Sequence, residues 1–389
     1  MPDPGVTVVW DDRLLDYNFG PEHPFTERSR WLAVRLLAEL ERRAESTVGA
    51  LRWRRRVSLA GTPELERFHR RSYLELVQRL DGSGSRAPLD AGDTPAFPGC
   101  FDASRRLVGA TLLGIDSAMN GNGPAFAPGG GLHHAHPDRA SGFCIFNDIA
   151  VGIAGLLADH SAERIAYVDI DAHHGDGVMY GFFEDGRVLD IDFHQDGRTL
   201  FPGTGFASEV GRGDGAGAKV NLPLPPGTGD RDFLRLFDRI VPPLLRDFRP
   251  ELVILQCGVD GHTGDRLGGT ALELTPRTYV RVVTELNRVL HDLSAGALVV
   301  TGGGGYSAEN VARVLACVPL WLLGAAPEPS APLPGPWRAE FERHTGWPAP
   351  ADWTVDARPV AWAGPTEERL TSELEAALGR RFPAGSGTT

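Results

Sequence analysis

The sequence predicts an α/β fold: a single-domain open parallel sheet with helices on both faces. Three observations carry this expectation. Short runs rich in Val, Ile and Leu recur at residues 7–10, 165–171, 188–194, 252–256 and 297–301. Segments with apolar residues at helical spacing lie between them, and strand–helix–strand repetition implies parallel pairing through right-handed crossovers. Acids, imidazoles and a phenol gather where the strands end, which is where an open α/β sheet places its chemistry.

Residues 7–10 read as the first strand, and 31–40 as a helix with Leu32, Leu36, Leu37 and Leu40 on one face. Between them, 17–25 is too aromatic for a plain linker; it is a loop that lines a pocket or packs on the surface. Residues 57–59 suggest a strand, with Thr62 as N-cap and Pro63 as first residue of the next helix. The Gly-, Pro-, Ser- and Asp-rich stretch 82–100, which contains Asp93, reads as a long loop of the kind compact domains keep for function or movement. A helix over about 104–119 ends at a breaker cluster, and another follows Ser141-Gly142-Phe143-Cys144 and runs to about Leu157. Further helices are expected at about 230–248, at 276–293 and after Ser307 as N-cap. The Pro- and Ala-rich tail 325–350 is expected to wrap the core irregularly, ahead of an amphipathic helix at 366–378. Residues 1–389 thus read as one domain, with the chemistry in about 5–322 and a wrapping tail in 323–389.

Composition narrows the classes of function. With 42% hydrophobic residues, 48 Gly and 30 Pro, the 389-residue chain is loop-rich but globular, and long enough to bury a substantial core. A formal charge of −12 argues against a nucleic-acid surface. No apolar run reaches membrane-spanning length, and the start Met1-Pro2-Asp3-Pro4 lacks the basic flank and apolar segment of a secretory signal, so no membrane partner and a cytoplasmic location are expected. Cys100, Cys144, Cys257 and Cys317 are far apart and form no CxxC, which suggests neither a disulfide framework nor a thiolate cage. Cys144 reads as a buried apolar residue, since no activating base is assigned to it.

The densest chemistry lies in 164–177, where an apolar strand delivers Asp169, Asp171, His173, His174 and Asp176 into a Gly-marked turn. On extended backbone i and i+2 point the same way, so Asp171 and His173 can face one cation with Asp169 on the row behind. That makes half of a tetrahedral zinc site; a third protein ligand must come from elsewhere, leaving an open position for water. Upstream, His133 and His134 follow three glycines, a pattern that by itself is more often incidental than catalytic.

Six blocks fall in one order along residues 17–317: Leu132-His133-His134-Ala135, Ser141-Gly142-Phe143-Cys144, Asp169 through Gly177, Phe201-Pro202-Gly203-Thr204-Gly205, Gly264-Asp265-Arg266-Leu267-Gly268 and Gly302-Gly303-Gly304-Gly305-Tyr306. Together they resemble the histone deacetylase superfamily, and within it the bacterial acetoin-utilisation branch of class I-like deacetylases. The resemblance implies an arginase/deacetylase-like fold and a zinc-dependent amidohydrolase that removes acetyl from the ε-amine of lysine in an acetylated protein or peptide, releasing acetate. Ferrous iron is the other metal it allows.

The resemblance also implies roles. Asp171, His173 and Asp265 would ligate the divalent metal. His133, backed by Asp169, and His134, backed by Asp176, would flank the reacting water, with His134 as general base and His133 as electrostatic partner or proton donor. Tyr306 would polarise the amide carbonyl. Phe143 and Phe201 would wall a tunnel for the lysine stem, Leu267 would lie on its rim, Asp93 would accept peptide N–H groups and Gly142 would offer its carbonyl. A structural potassium ion is expected near Asp169, Asp171 and His173 with Asp192 and Phe193; a second, outer cation site is left open.

Two features depart from the pattern and a third refines it. The arginine that the resemblance places in an internal acetate channel falls at Ser29, between Arg28 and Arg30. The loop 259–263 mixes features of several branches, and its His262 is the loop histidine best placed to touch substrate. Asp176, where relatives that act on acetylpolyamines commonly carry Asn, favours the class I-like branch. The alternatives are an amidohydrolase for acetylpolyamines or other small acetylated amines, and a catalytically inactive acetyl-lysine binding module.

Overall fold

The computed structural model describes residues 5–43, 51–84, 86–90, 92–265, 269–293, 296–354 and 367–382. One sheet of eight parallel strands runs in the order β2-β1-β3-β8-β7-β4-β5-β6. The strands are β1 (Val6–Val9), β2 (Leu51–Arg54), β3 (Ala125–Ala127), β4 (Ile165–Asp169), β5 (Val188–Gln195), β6 (Lys219–Leu224), β7 (Leu252–Gln256) and β8 (Ala297–Thr301). The helices that join and cover them are α1 (Arg28–Arg43), α2 (Thr62–Leu65), α3 (Arg71–Ser83), α4 (Cys100–Met119), α5 (Asp148–Ala158), α6 (Asp176–Gly181), α7 (Asp230–Phe248), α8 (Pro276–Asp292), α9 (Ala308–Leu322), α10 (Gly335–Thr345) and α11 (Glu367–Leu378).

Alternation along the central strands puts helices on both faces. Ala166 and Val168 of β4, with Val253 and Leu255 of β7, pack against Leu36 of α1, Leu236 of α7, Val282 of α8 and Leu315 of α9. The intervening Ile165, Tyr167, Leu252 and Ile254 pack against Ile115 of α4 and Ile149 and Ile153 of α5. Each such fully buried aliphatic side chain contributes about 1.5–3 kcal/mol, so continuous apolar strands are what a sheet covered on both faces requires.

The connection after β4 moves to β5 and β6 on one side, whereas β7 returns to the other side of β4 and leads to β8. The gap beyond the C-terminal ends of β4 and β7 is therefore a switch point, the crevice where open α/β sheets bind ligands.

Several elements differ from expectation, each for a physical reason. Residues 57–59 pair with no strand; the partner of β1 is instead Leu51–Arg54, whose four residues include two arginines tolerated at a sheet edge. The N-cap of α2 is Gly61, one residue before Thr62, and Glu64 returns to its N–H. Within the tail expected to be irregular, α10 forms because Trp337 and Phe341, one turn apart, both bury, and Gly346 in the left-handed region ends it. The Trp337 indole N–H donates to Leu32 O at 2.8 Å, tying this helix to α1. Strand β3, three small or aromatic residues long, is too short to show a period, and β6 is interrupted by a lysine and a proline. Among the described residues no helix is long and apolar enough to cross a membrane.

Candidate metal centre and hydrolytic site

Four neighbouring strands, β3, β8, β7 and β4, aim their C-terminal ends at one crevice. From β3 come the Gly129-Gly130-Gly131 turn and His133-His134, from β4 Asp171 and His173, from β7 Asp260 and Asp265, and from β8 the glycines leading to Tyr306. Segments distant in sequence meet here because the sheet order makes their strands adjacent.

The imidazole pair is held from behind. His133 Nδ1 lies 2.8 Å from Asp169 Oδ2, and His134 Nδ1 lies 2.7 Å from Asp176 Oδ1. The other face of each ring carries its Nε2, and these two atoms are 3.0 Å apart. Asp169 is itself fixed by the Tyr167 hydroxyl, which donates at 2.5 Å, and by the Asp171 N–H at 2.9 Å. Asp176 accepts from His136 as well, at 2.9 Å. A carboxylate on one ring nitrogen sets the tautomer and leaves the other for chemistry.

The surrounding charges split the pair. Burial depresses both imidazoles; at His133 the carboxylates of Asp169 and Asp171 outweigh it and lift the pKa to about 10. At His134 the neighbouring His133 adds to burial, and the pKa falls to about 4 despite Asp176. The two imidazoles thus differ in protonation preference, His133 toward the charged form and His134 toward the neutral one.

Beside them, ligand atoms of Asp171, His173 and Asp260 lie within 4.8 Å of one another, all three residues buried. His173 Nδ1 is 3.2 Å from Asp171 Oδ1 and 2.9 Å from Asp260 Oδ2. Oxygen and nitrogen donors, with two carboxylates that burial alone would force to neutralise, fit a divalent cation of the zinc or ferrous type. Asp265, which the resemblance implies as the third ligand, is not in that group. Its carboxylate turns to the N-terminal end of α9 and accepts the N–H groups of Tyr306 at 2.5 Å and Ser307 at 2.8 Å.

Above this floor opens a cavity of about 210 Å³ lined by Asp93, Gly142, Phe143, Phe201 and Tyr306 together with the histidines, Asp171 and residues 131, 303 and 304. The Phe201 ring stands edge-on to His134 at 5.1 Å, and Phe143 is edge-on to Tyr306 at 6.4 Å. Gly142 has φ 53° and Phe143 φ 68°. A side chain at Gly142 would meet His134 Cδ2 at 2.4 Å, so that position admits only glycine. Phe143 is a non-glycine residue in the left-handed region, held there by Tyr17, whose hydroxyl donates to its carbonyl at 2.6 Å, and by Thr94 Oγ1, which accepts its N–H at 3.0 Å. Cys144 also borders the cavity, but burial pushes its thiol well above the ordinary range.

The remaining expectations fall as follows. Leu267 lies outside the described residues. Asp192 accepts the Gly175 N–H and pairs with His194 Nδ1, each at 2.7 Å, while Phe193 packs its ring against Phe233, so any cation contact there would use main-chain oxygen. His262 is wholly buried, accepts the Gly264 N–H at 3.1 Å and does not border the cavity. Behind the floor, the arginine is Arg30: its guanidinium is buried, sits over the Phe25 ring at 4.5 Å and donates to the carbonyls of Gly303 and Thr26, whereas Arg28 is exposed.

Some contributors were not singled out from sequence. Asp260 stands shortly past the end of β7 as Asp171 does past β4, a positional signal that was available. Tyr17 and Phe25 belong to the aromatic loop, and only the fold shows them buttressing Phe143.

Comparison with known proteins gives the family and the fold. The model of the histone deacetylase domain matches residues 23–319. The acetoin utilization protein AcuC of Bacillus subtilis is 35% identical over 360 residues, covering 90% of this chain and 89% of that one. AcuC of Staphylococcus xylosus is 33% identical over 358 residues, covering 90% of each. Among solved structures, an HDAC homolog complexed with SAHA superposes with a TM-score of 0.78 at 26% identity, covering 96% of this chain and 100% of that one. The HDA15 HD domain gives 0.71 at 28% identity over 83% and 91%. The chain belongs to the histone deacetylase family of hydrolases. Within that family it is AcuC-like.

Proposed function

We propose that the protein is a metal-dependent lysine deacetylase, using zinc or ferrous iron, that hydrolyses the ε-acetyl amide of acetyl-lysine in protein or peptide substrates. The carrying observation is the floor: two imidazoles, each backed by its own carboxylate, presenting Nε2 atoms 3.0 Å apart beside a buried carboxylate–imidazole ligand group and beneath Tyr306. Asp171 and His173 would hold the metal with a third carboxylate from the loop after β7, where the resemblance points to Asp265 and the geometry to Asp260. Bound there, the metal supplies Lewis acidity toward an amide carbonyl and a water.

The chain's own residues do the rest. Neutral His134 takes the proton of the attacking water, and Asp176 holds its ring and offsets the charge it gains. Protonated His133, fixed by Asp169, faces the departing amine and donates to it. The Tyr306 hydroxyl hydrogen-bonds the carbonyl oxygen as it gains charge. Phe143 and Phe201 exclude water and grip the methylene stem, each buried methylene contributing about 0.8 kcal/mol. Asp93 at the mouth accepts backbone N–H groups of the peptide. The residues 169, 171 and 173 with 192 and 193 would also border a potassium ion.

The test is acetate release from an acetyl-lysine peptide against acetylated putrescine and spermidine, after metal stripping and readdition. A higher kcat/KM on the peptide is the expected result. Preference for the polyamine would move the protein to the small-amine branch, and binding without acetate release would make it a reader.

A further inference from the structure

Lys219 opens β6 and is completely buried, an uncommon position for a lysine unless its charge is met. Its ammonium is met by main chain: Nζ donates to Val188 O at 2.6 Å and to Asp185 O at 3.2 Å. The Asp185 side chain is occupied elsewhere, by Arg187, so only its carbonyl turns inward. Among the described residues no carboxylate is hydrogen-bonded to the ammonium. A monovalent positive charge held by backbone carbonyls is the arrangement proteins use for a bound potassium ion. Burial draws the Lys219 pKa down to about 8, and the nearby carboxyls of Asp190 and Asp185 oppose the fall.

What the charge faces connects it to the reaction. Register places Lys219 beside Asp190 of β5, and Asp190 beside Tyr167 of β4. Asp190 Oδ2 is buried without a hydrogen-bond partner, and burial with the neighbouring Asp192 pushes its carboxyl well above the ordinary range, with Lys219 the first influence that opposes the rise. One step along the strands lie Asp192 and Asp169, and Tyr167 donates to the same Asp169 oxygen that holds His133 Nδ1. The acids Asp169, Asp190 and Asp192 are thus stacked in the sheet behind one imidazole, with Lys219 closing the far end of the row.

We propose that Lys219 is a built-in monovalent cation: its ammonium takes the place of an ion between the carbonyls of Asp185 and Val188, fixes the 185–188 turn and faces Asp190, the outermost of the acids stacked behind His133. It is a positioning residue, touching no substrate. The chain supplies covalently what an exchangeable potassium or ammonium ion would supply at that place.

The experiment compares Lys219→Ala, which empties this place, with Lys219→Met, which fills it without charge, in potassium, ammonium or choline chloride at constant ionic strength. The wild-type response to potassium measures any other cation site and is subtracted. For the Ala variant in choline, the melting temperature is expected to fall by several degrees and kcat by roughly tenfold, with KM little changed. Potassium or ammonium should restore both, and the Met variant should respond to neither. An Ala variant with the wild-type cation response, or one insoluble in potassium as in choline, overturns the proposal; so does a Met variant with wild-type melting and kcat. The melting arm, run on metal-stripped protein, does not depend on the deacetylase reading, so the two can fail separately.

Discussion

The floor and the rim of the cavity are built by different rules. On the floor, His133, His134, Asp169, Asp171, His173 and Asp176 are all buried, stand at or just past strand ends, and each has a side-chain partner within 3.2 Å. At the rim, Asp93 is exposed on a long loop and Phe201 keeps 42% of its surface open. A sheet edge fixes side chains to the tolerance that chemistry needs, while loops leave selectivity adjustable. Mutations on the floor should therefore remove turnover, and mutations on the rim should change mainly which substrate is bound.

The largest effects test the floor. Chelation of the divalent metal should abolish acetate release, and readdition should restore it. His134→Ala and Tyr306→Phe should each lower kcat on an acetyl-lysine peptide by on the order of 10²–10³ with KM little changed, measured at saturating metal. A rise confined to KM would place either residue on the rim instead.

Next comes the division of labour between two acids of one loop. Asp260→Asn and Asp265→Asn should differ in retained metal: the ligand's variant should keep well under one equivalent after dialysis. The other should bind more weakly by about 10–100-fold, as expected for a group that only orients a ligand. Metal analysis and competition with a chromogenic chelator separate the two outcomes. Full retention in both variants would mean that neither carboxylate ligates, and equal loss that both do.

The wall gives a smaller effect. Phe201→Ala removes a half-open aromatic face, so KM for the peptide should rise by up to about tenfold while kcat holds within a factor of a few. Outside the cavity lining, Trp337→Ala should cost about 3–5 kcal/mol of stability by leaving a cavity under α10, with specific activity at low temperature nearly unchanged.

Legibility in the sequence follows the same division. Asp171 and His173 could be read as partners because the i, i+2 geometry of a strand is fixed, and β7 and β8 matched their runs residue for residue because buried parallel strands must be continuously apolar. Helix α7 was visible despite Pro242 and Pro243, since Phe233, Leu236, Phe237, Ile240, Val241 and Leu244 keep one buried face through them. The meeting of His133 with Asp169 was not legible from local pattern, because it depends on which strands become neighbours; it came from the resemblance and was then seen in the geometry. Phe143's left-handed backbone was invisible for a similar reason: Tyr17 and Thr94, which hold it, are remote in the chain.

The smallest effect is also the one that bears on substrate. Partial burial and the neighbouring Asp90 raise the Asp93 carboxyl from 3.8 to about 6. If the ionised form accepts peptide N–H groups, that acceptor is fully present above this pH and lost as pH falls through it. KM for an acetyl-lysine peptide should then rise a few-fold between pH 7 and pH 5, in line with about 1 kcal/mol for a half-exposed hydrogen bond. Asp93→Asn should flatten that dependence. Asp90→Asn keeps the Oδ1 acceptor that binds the N–H groups of Gly92, Asp93 and Thr94 but removes the charge, so it should move the inflection to lower pH. An acetylated polyamine has no backbone N–H to offer, and its KM should not follow Asp93. A polyamine KM that tracks the same inflection, with a flat peptide KM, would transfer the rim acid from peptide recognition to recognition of a cationic amine.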